Sequence, residues 1–355
     1  MVKATKVIKA KIVHLTKIKE KLLSEEYENL QKFLRGEKHV NLYSANKQQA
    51  RRYYKKIKQH KAYPLSIRKD LIKVEKRDTE IAKYWVRIPV AGRRGGIWVA
   101  IKPHKDILPD YEIGESKVFR KNGDWYLHIT ISKEVELKES YAHTIAVDIG
   151  ERVMACVCGT WNSLKPIFYG REIRGIRRHY AWLRRRLQEK KLLKKVKQIG
   201  NKESRIVNDL LHKISKEIIN LAKEHDAVIV VGKLNKIRQS AQKKGKRMRR
   251  LINSWAYYRL QKYIKYKALW EGIKVIYVDE KGTSITCHKC GTKGKRRTQG
   301  CFECSNCGLR DFNADLNGAR NILKRFSAYM VENGGAVNHP LTVPVSTEAT
   351  VLERR

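Results

Sequence analysis

The sequence predicts a multidomain protein in which a β-rich N-terminal domain precedes an α/β domain. Strand-like alternation of apolar and charged residues opens the chain and resumes after a basic helical segment. From about residue 143, apolar strand segments alternate with helical stripes, and four clustered cysteines precede an aspartate. A length of 355 residues with an apolar fraction of 42% is enough for two or three domains with at least one sizeable core.

The N-terminal domain is predicted from two blocks of strand signals. Residues 6–15 alternate apolar and charged side chains, which is typical of a strand with one solvent-exposed face. Strand signals resume between residues 84 and 136, with glycines at the turns. We therefore predict a small β-barrel or sheet, made from residues 1–21 and 76–140 and interrupted by a basic helical lobe at 22–75.

The α/β domain begins with an apolar strand at residues 144–150 that carries Asp148 near its end. Two more strand segments follow closely, and three successive strands with an aspartate in the first are typical of the start of a ribonuclease-H-like sheet. The later strand segments of this domain are predicted at 153–157, 166–169, 226–231 and 273–278.

The charge composition restricts the class of partner. Lysine and arginine number 78 against 35 acidic residues, which leaves a formal net charge of +43. Such an excess repels itself unless a polyanion compensates it, and nucleic acid is the commonest large polyanion. A membrane surface is the rival partner, but no run of 18 apolar residues and no signal-peptide pattern is found. We expect a soluble, intracellular protein without a membrane partner.

Two basic regions are the candidate nucleic-acid contacts. Between residues 171 and 200 an apolar helical stripe is accompanied by 12 lysines and arginines in 30 positions. In the loop at 241–250 six of ten positions are basic, and we expect phosphate to order it. Solvated helix and loop surfaces are the alternative interpretation. The candidate residues are Arg177, Arg178, Arg184 and Arg185 of the helix and Lys243, Lys244, Lys246, Arg247, Arg249 and Arg250 of the loop.

Four cysteines have the spacing of a structural zinc site. Five of the seven cysteines lie between residues 287 and 307, and four of them form two Cys-x2-Cys pairs separated by 13 residues. This spacing favours tetrahedral zinc over a redox cluster or a disulfide framework. The predicted ligands are Cys287, Cys290, Cys304 and Cys307, whereas Cys156, Cys158 and Cys301 are interpreted as structural.

Several acids could form a site for phosphodiester hydrolysis. Two divalent ions about 3.5–4 Å apart, held by carboxylates, neutralise charge on the attacking water and the leaving oxygen. Asp148 ends a strand, Asp315 follows the cysteines, and Asp279 and Glu280 follow a later strand. Because neighbouring strand residues point to opposite faces, we expect only one of the last two to contribute. The bland alternatives are a turn role for Asp148 and a helix N-cap role for Asp315.

These residues resemble those of TnpB, the family of compact transposon-encoded RNA-guided nucleases related to type V CRISPR effectors and to Fanzor proteins. The resemblance covers about residues 143–325. It is carried by the segments Ala146-Val147-Asp148-Ile149-Gly150, Val230-Val231-Gly232-Lys233-Leu234-Asn235, Tyr266-Lys267-Ala268, Thr283-Ser284, the two Cys-x2-Cys-Gly motifs, and Ala314-Asp315 with Asn317, Asn321 and Ile322.

The resemblance implies a domain organisation. It implies a RuvC nuclease domain at 141–284 and 311–328 with a zinc ribbon inserted at 285–310. The N-terminal β-domain then corresponds to the wedge and the helical lobe to the recognition lobe. Residues 329–355 have two prolines and little periodicity, so we predict a flexible C-terminal tail.

One residue departs from the family pattern. Most members carry the second RuvC glutamate where this chain has Gly232. In a minority branch that includes Fanzor proteins, the glutamate lies instead at the end of the next core strand, where this chain has Glu280. By resemblance, the catalytic residues are Asp148, Glu280 and Asp315, which would hold two Mg²⁺ ions. Asp279 and Asp311 are the substitutes if Glu280 does not contribute.

The resemblance also implies partners and an activity. It implies a guide RNA, a double-stranded DNA target with a short adjacent motif, and DNA cleavage, in the cytoplasm of a prokaryote or the nucleus of a eukaryote. The oligomeric state is left open, with a monomer favoured. The alternative, motivated by Gly232, is an RNA-guided DNA-binding repressor without cleavage. A DNA-strand transferase is a weaker third hypothesis, because no recombinase-like tyrosine or serine pattern is found.

Overall fold

The computed structural model describes residues 1–58, 60–161, 165–233, 245, 249 and 255–332. The chain divides into two compact units, Met1–Val135 and Glu136–Arg355. Among the described residues, no helix has both the length and the apolar composition that a membrane span requires.

The N-terminal unit is built on an eight-stranded sheet. Its elements are β1 (Val2–Val13), α1 (Lys17–Leu34), α2 (Ser44–Tyr53), β2 (Leu65–Ile67), β3 (Lys73–Lys76), β4 (Tyr84–Ile88), β5 (Ile97–Pro103), β6 (Glu112–Ile113), β7 (Ser116–Lys121) and β8 (Asp124–Val135). The strand order is β2-β7-β8-β1-β5-β4-β3, with β6 paired to β8. The pairings among the described strands therefore form an open path that ends at β2 and β3.

Strand β1 shows how the local pattern sets this sheet. Ala4, Ile8, Ala10 and Ile12 are buried, whereas Lys9 and Lys11, which alternate with the last three, are exposed. A strand with period-two alternation buries one face and leaves the other wet. The prediction of a β-domain at both ends of this unit is confirmed.

The prediction of helix throughout residues 22–75 is wrong in its last third. Helix α1 already begins at Lys17, where the Thr16 side chain accepts a hydrogen bond from the Lys19 backbone, and α2 ends at Tyr53. Strands β2 and β3 follow and pair with β7 and β4. These strands are three and four residues long, so long-range pairing defines them and local periodicity does not.

The C-terminal unit contains a five-stranded sheet, a three-stranded sheet and five helices among its described residues. Its elements are β9 (His143–Asp148), β10 (Ala155–Gly159), β11 (Ile167–Tyr169), α3 (Glu172–Glu189), α4 (Leu193–Ile199), α5 (Lys202–Glu224), β12 (Ala227–Lys233), α6 (Tyr257–Trp270), β13 (Val275–Asp279), β14 (Lys295–Thr298), β15 (Cys301–Cys304), β16 (Leu309–Asn313) and α7 (Ala314–Glu332).

The five-stranded sheet has the order β11-β10-β9-β12-β13. Strands β9, β10 and β11 form an antiparallel meander, whereas β12 runs parallel to β9, and β13 runs parallel to β12. Helices α5, α6 and α7 cover the sheet and share its apolar core. All strands predicted for a ribonuclease-H-like domain are therefore present, in one mixed sheet.

The cysteine-rich segment forms a separate small sheet of order β14-β15-β16. It lies in the chain between β13 and α7, as predicted for an insert. Helix α7 continues to Glu332, so the first residues of the predicted tail at 329–355 are helical. Residues 333–355 lie outside the described part of the chain.

Candidate active site

Asp148 is the last residue of β9, at the centre of the five-stranded sheet. Ile145, Ala146 and Val147 before it are completely buried, and this apolar segment anchors the strand between β10 and β12. Asp148 is paired in register with Cys156 and is partly exposed at the strand end. The buried strand thus fixes the Asp148 carboxyl group at the carboxyl-terminal end of the central strand.

Glu280 follows β13 directly and reaches the same end of the sheet. Because β9, β12 and β13 are parallel, their carboxyl ends lie on one side of the sheet. Glu280 is partly buried, whereas its neighbour Asp279 is exposed and accepts a hydrogen bond from the Lys281 backbone at 3.2 Å. Asp279 therefore faces away, as the strand alternation predicts.

Gly232 leaves the space that the Glu280 side chain occupies. A β-carbon added at Gly232 would lie 2.8 Å from both Cδ and Oε2 of Glu280. These distances are shorter than a van der Waals contact, which is about 3.5–4.0 Å between carbons. Position 232, where the resemblance leads us to expect a glutamate, thus faces a carboxyl group supplied by the residue that follows β13.

Asp315 lies in the first turn of α7 and is buried. The helix is capped by Asn313, whose Oδ1 accepts hydrogen bonds at 3.0 Å from the backbone amides of both Asp315 and Leu316. The alternative prediction of an N-cap role for Asp315 is therefore wrong, and its carboxyl group is not used in capping. Its Oδ1 lies 3.8 Å from Nη2 of Arg296.

A second glycine packs against the acids. A β-carbon at Gly318 of α7 would lie 2.9 Å from Oδ2 of Asp148. Glycine in a helix interior is unfavourable by about 1 kcal/mol relative to alanine, so its presence in α7 needs a local reason. The close approach of the helix backbone to the Asp148 carboxylate is such a reason.

The three acids have raised pKa values, as expected for carboxyl groups gathered in one site. Desolvation raises the pKa of Asp148 well above its usual value, and the charges of Glu280 and Asp315 add to this effect. Desolvation also raises the pKa of Glu280 to about 7, moderated by a hydrogen bond with Asp148. Burial raises the pKa of Asp315, while Arg296 opposes the shift. The pKa values of the first two acids therefore depend on one another.

This donor set fits a hard divalent cation. Carboxylate oxygens are the ligands that magnesium prefers, and Oε2 of Glu280 is buried without a hydrogen-bond partner among the described residues. In that part of the chain, the groups whose ligand atoms all lie within 4.8 Å are the cysteine quartet and the trio of Cys301, Glu303 and Asp311. The three acids are therefore spread more widely than a single compact ion site.

Asp311, one of the substitutes named for Glu280, lies away from the acids. It is exposed on β16 of the small sheet, 3.9 Å from the Arg297 guanidinium. Asp279 is also excluded, because its side chain is exposed beside Lys281. The structure therefore brings together the three acids that the resemblance selects and leaves out the substitutes.

An arginine-rich cleft adjoins Asp315. Its volume is about 400 Å³. The charged residues that line it are Arg152, Arg171, Arg174, Arg178 and Asp315. Of the four arginines, Arg174 is paired with Glu151 at 3.4 Å. The cleft offers positive charge beside a carboxylate, which suits a phosphate group approaching the acids.

Of these four arginines, only Arg178 is predicted from the sequence as a nucleic-acid contact. The others come from the β9–β10 connection and the start of α3, where a single arginine is no signal. Of the remaining predicted contacts, Arg184 pairs with Glu203 at 2.6 Å, and Arg185 pairs with Glu189 at 3.7 Å.

Two further parts of the basic prediction have different outcomes. Arg177 is partly buried, and desolvation lowers its pKa, so it points inward. In the loop, Arg249 is exposed. The other predicted loop residues, Lys243, Lys244, Lys246, Arg247 and Arg250, lie outside the described residues.

The four predicted zinc ligands converge. Their sulfur atoms all lie within 4.8 Å of one another, with Sγ separations of 3.6 Å for Cys287 and Cys307 and 3.5 Å for Cys290 and Cys304. Tetrahedral zinc with bonds of about 2.3 Å requires sulfur separations near 3.8 Å. The quartet fits a structural zinc ion with no open coordination position.

Two asparagines of α7 bind the backbone of the segment that precedes the first zinc ligand. Nδ2 of Asn317 donates to the Thr286 carbonyl at 2.8 Å, and Nδ2 of Asn321 donates to the carbonyls of Thr283 and Thr286 at 2.8 and 2.7 Å. Both asparagines are buried. The helix that carries Asp315 is thus tied directly to the segment leading into the zinc ligands.

Comparison with known proteins supports the fold of this region. The family model described as "Cas12f1-like, TNB domain" matches residues 257–322, which include the zinc ribbon and the start of α7. A solved structure, the Cas12f1-sgRNA-target DNA complex, is similar in fold with a TM-score of 0.52 at 18% identity, over 73% of this chain and 64% of that chain.

Two curated relatives extend the comparison. The CRISPR-associated endodeoxyribonuclease Cas12f2 of Micrarchaeota archaeon is 33% identical over 57% of this chain, which spans 40% of that protein. The TnpB-like protein MJ0751 of Methanocaldococcus jannaschii is 31% identical over 54% of this chain and 72% of its own length. On this similarity, the chain belongs to the family of TnpB-like proteins.

Proposed function

We propose that this protein is an RNA-guided DNA endonuclease that hydrolyses phosphodiester bonds with magnesium at Asp148, Glu280 and Asp315. The observation that carries the proposal is the convergence of these acids at one edge of the sheet, with Glu280 filling the space beside Gly232. Carboxyl groups that gather at one site with raised pKa values are typical of functional sites, which supports this proposal.

The residues divide the chemical work. Divalent ions at such a site activate water and stabilise the leaving oxygen. Asp148, Glu280 and Asp315 would hold the ions, whose positive charge would relieve the repulsion among the three carboxylates. The arginines of the cleft orient the DNA phosphate beside Asp315. The zinc ribbon takes no part in bond breaking and keeps α7 in place.

Target recognition is proposed to be shared between RNA and protein. The relative Cas12f2 is named an endodeoxyribonuclease, and the solved structure of similar fold is a complex with a guide RNA and target DNA. A net charge of +43 provides for such polyanionic partners. In this arrangement, guide pairing reads the target while the protein recognises duplex shape and a short adjacent motif.

The test is cleavage of a plasmid that matches the guide RNA, with purified protein, guide and Mg²⁺. Asp148→Asn and Glu280→Gln are each expected to slow cleavage by at least 100-fold, since each removes an ionic ligand of the site. Target binding should stay within a few-fold of wild type. Asp279→Asn is the matched control, because it changes the neighbouring exposed acid and should cut normally.

The repressor hypothesis makes the opposite prediction. An intact plasmid with wild-type protein, together with tight guided DNA binding, would show a binding protein without nuclease activity. Gly232 is the observation that favours this alternative. Cleavage that is unaffected by Glu280→Gln would instead remove Glu280 from the site.

A further inference from the structure

The C-terminal unit contains a second cavity, which has no role in the candidate active site described above. Its volume is about 470 Å³. Cys158, Pro166 and Leu323 give it an apolar floor, and Lys289, Arg320 and Lys324 give it a basic rim. Pockets with an apolar surface and a few convergent polar groups are typical ligand sites. The combination suits a ligand that has both a flat apolar part and an anionic part.

The rim has no anion of its own. Among the described residues, no carboxylate oxygen lies within 4.0 Å of a side-chain nitrogen of Lys289, Arg320 or Lys324, although many other basic residues are so paired. Three uncompensated cations close together repel one another. A bound phosphate would relieve this repulsion.

Arg320 is held in place by neutral aromatic groups. Its Nη1 donates to Nε2 of His288 at 2.8 Å, and its guanidinium lies 5.3 Å from the centre of the Phe312 ring. The His288 ring stacks on the same Phe312 ring at 4.5 Å and, with its own backbone amide, contacts Oδ1 of Asn317 at 3.0 and 2.9 Å. Arg320 is thus fixed without being neutralised, as in a preorganised anion site.

The cavity lies close to the acids along two elements. On α7, Arg320 is five residues beyond Asp315, which corresponds to a rise of about 7.5 Å. On β10, Cys158 is two residues beyond Cys156, the register partner of Asp148. The cavity and the acids therefore share two elements, α7 and β10.

We infer that this cavity binds one nucleotide of the single-stranded DNA that enters the acid site. Its base lies against Cys158, Pro166 and Leu323, and its phosphate lies between Arg320 and Lys324. This inference rests on the proposed function, because the acids determine which strand runs past the cavity. Base contact with an apolar surface and backbone contact with basic side chains together are typical of single-strand binding sites.

The first measurement is the binding of a fluorescent 12-nucleotide single-stranded DNA to the protein–guide complex without added magnesium. Replacing both rim residues, as Arg320→Ala with Lys324→Ala, should weaken binding about tenfold or more and reduce the slope of log K against log salt by about 0.7, the value for one phosphate of a single strand. Lys202→Ala with Lys216→Ala on α5 is the charge-matched control and should have a smaller effect. Zinc content and thermal unfolding report whether the variants fold.

The second measurement does not depend on any variant. A 5-iododeoxyuridine placed along the same DNA strand should crosslink, at one nucleotide position, to Cys158, Pro166 or residues 312–324 of the wild-type protein. Crosslinks confined to other peptides, or a double variant that weakens only an RNA strand of the same sequence, would overturn the inference. Cleavage without such a crosslink would support the proposed function and overturn the inference about the cavity. A crosslink without cleavage would support the inference about the cavity and contradict the proposed function.

Discussion

At the scale of single residues, the account depends on how Glu280 comes to lie beside Asp148. The two side chains belong to strands separated by β12, and only a residue without a β-carbon at position 232 leaves room between them. The sequence alone shows the missing glutamate at Gly232 and a glutamate at Glu280. It does not show that the Glu280 carboxyl group fills the space beside Gly232, because this contact depends on the parallel register of β12 and β13.

Gly232→Ala is expected to reduce cleavage at least tenfold while the protein stays folded. The added methyl group would lie 2.8 Å from the Glu280 carboxyl and must displace it. The measurement is the single-turnover cleavage rate, with thermal unfolding as the check on folding. A cleavage rate equal to that of wild type would contradict the proposed role of Gly232.

The raised pKa of Glu280 predicts an unusual stability effect. A carboxyl group whose pKa rises from 4.5 to about 7 on folding holds its proton more tightly in the folded state. The free energy of unfolding of the metal-free protein therefore falls as pH increases from about 4.5 to about 7. Glu280→Gln removes this effect and should stabilise the metal-free protein at pH 7 by on the order of 1 kcal/mol.

Thermal unfolding without magnesium, measured from pH 5 to pH 8, checks this prediction. The gap between Glu280→Gln and wild type should widen as pH increases and then level off above the folded pKa. Added Mg²⁺ should stabilise wild type more than the variant, because the ions bind the folded carboxylates. A variant that is less stable than wild type at every pH would contradict a raised pKa for Glu280 in the folded protein.

At the scale of elements, helix α7 links the zinc ribbon to the acids. It carries Asp315 and Gly318 toward the sheet and uses Asn317 and Asn321 to hold the backbone of Thr283 and Thr286. The cysteine spacing, the strand segments and the helix were all predictable, because their signals are local. The cleft arginines were missed, since Arg152 and Arg171 belong to separate segments that only the fold brings together.

Cys304→Ser is expected to lose zinc and to loosen α7. Without four thiolates the zinc site fails, and the contacts of Asn317 and Asn321 lose their rigid partner. Metal analysis should show less than one zinc per chain, and hydrogen exchange should accelerate in residues 283–292 and 313–321. Cys301→Ser, outside the quartet, should keep its zinc. Retained protection of α7 in the zinc-free variant would contradict the link.

At the scale of the whole molecule, the net charge of +43 follows from the sequence alone. It identifies a polyanionic partner but does not locate the contacts. Arg184 and Arg185 were predicted contacts, yet they pair with Glu203 and Glu189. Strands β2 and β3 show the same limit for the fold, since each is defined by a partner distant in sequence.

Neutralising the basic loop is expected to weaken nucleic-acid binding and flatten its salt dependence. Each lost phosphate contact lowers the slope of log K against log salt by about one. The variant replaces with glutamine the six residues Lys243, Lys244, Lys246, Arg247, Arg249 and Arg250. Guide RNA and duplex DNA are titrated separately over a range of salt concentrations. An unchanged slope for both nucleic acids would show that the loop contacts neither of them.

The central claim is that Asp148, Glu280 and Asp315 form one metal centre. Its most direct test is the binding of Mn²⁺, which accepts the same carboxylate ligands as Mg²⁺, followed by electron paramagnetic resonance on the protein without guide or DNA. We predict that wild type and Asp279→Asn bind Mn²⁺ alike, whereas Glu280→Gln loses at least one ion or binds at least tenfold more weakly. Equal stoichiometry and affinity in wild type and Glu280→Gln would contradict the claim.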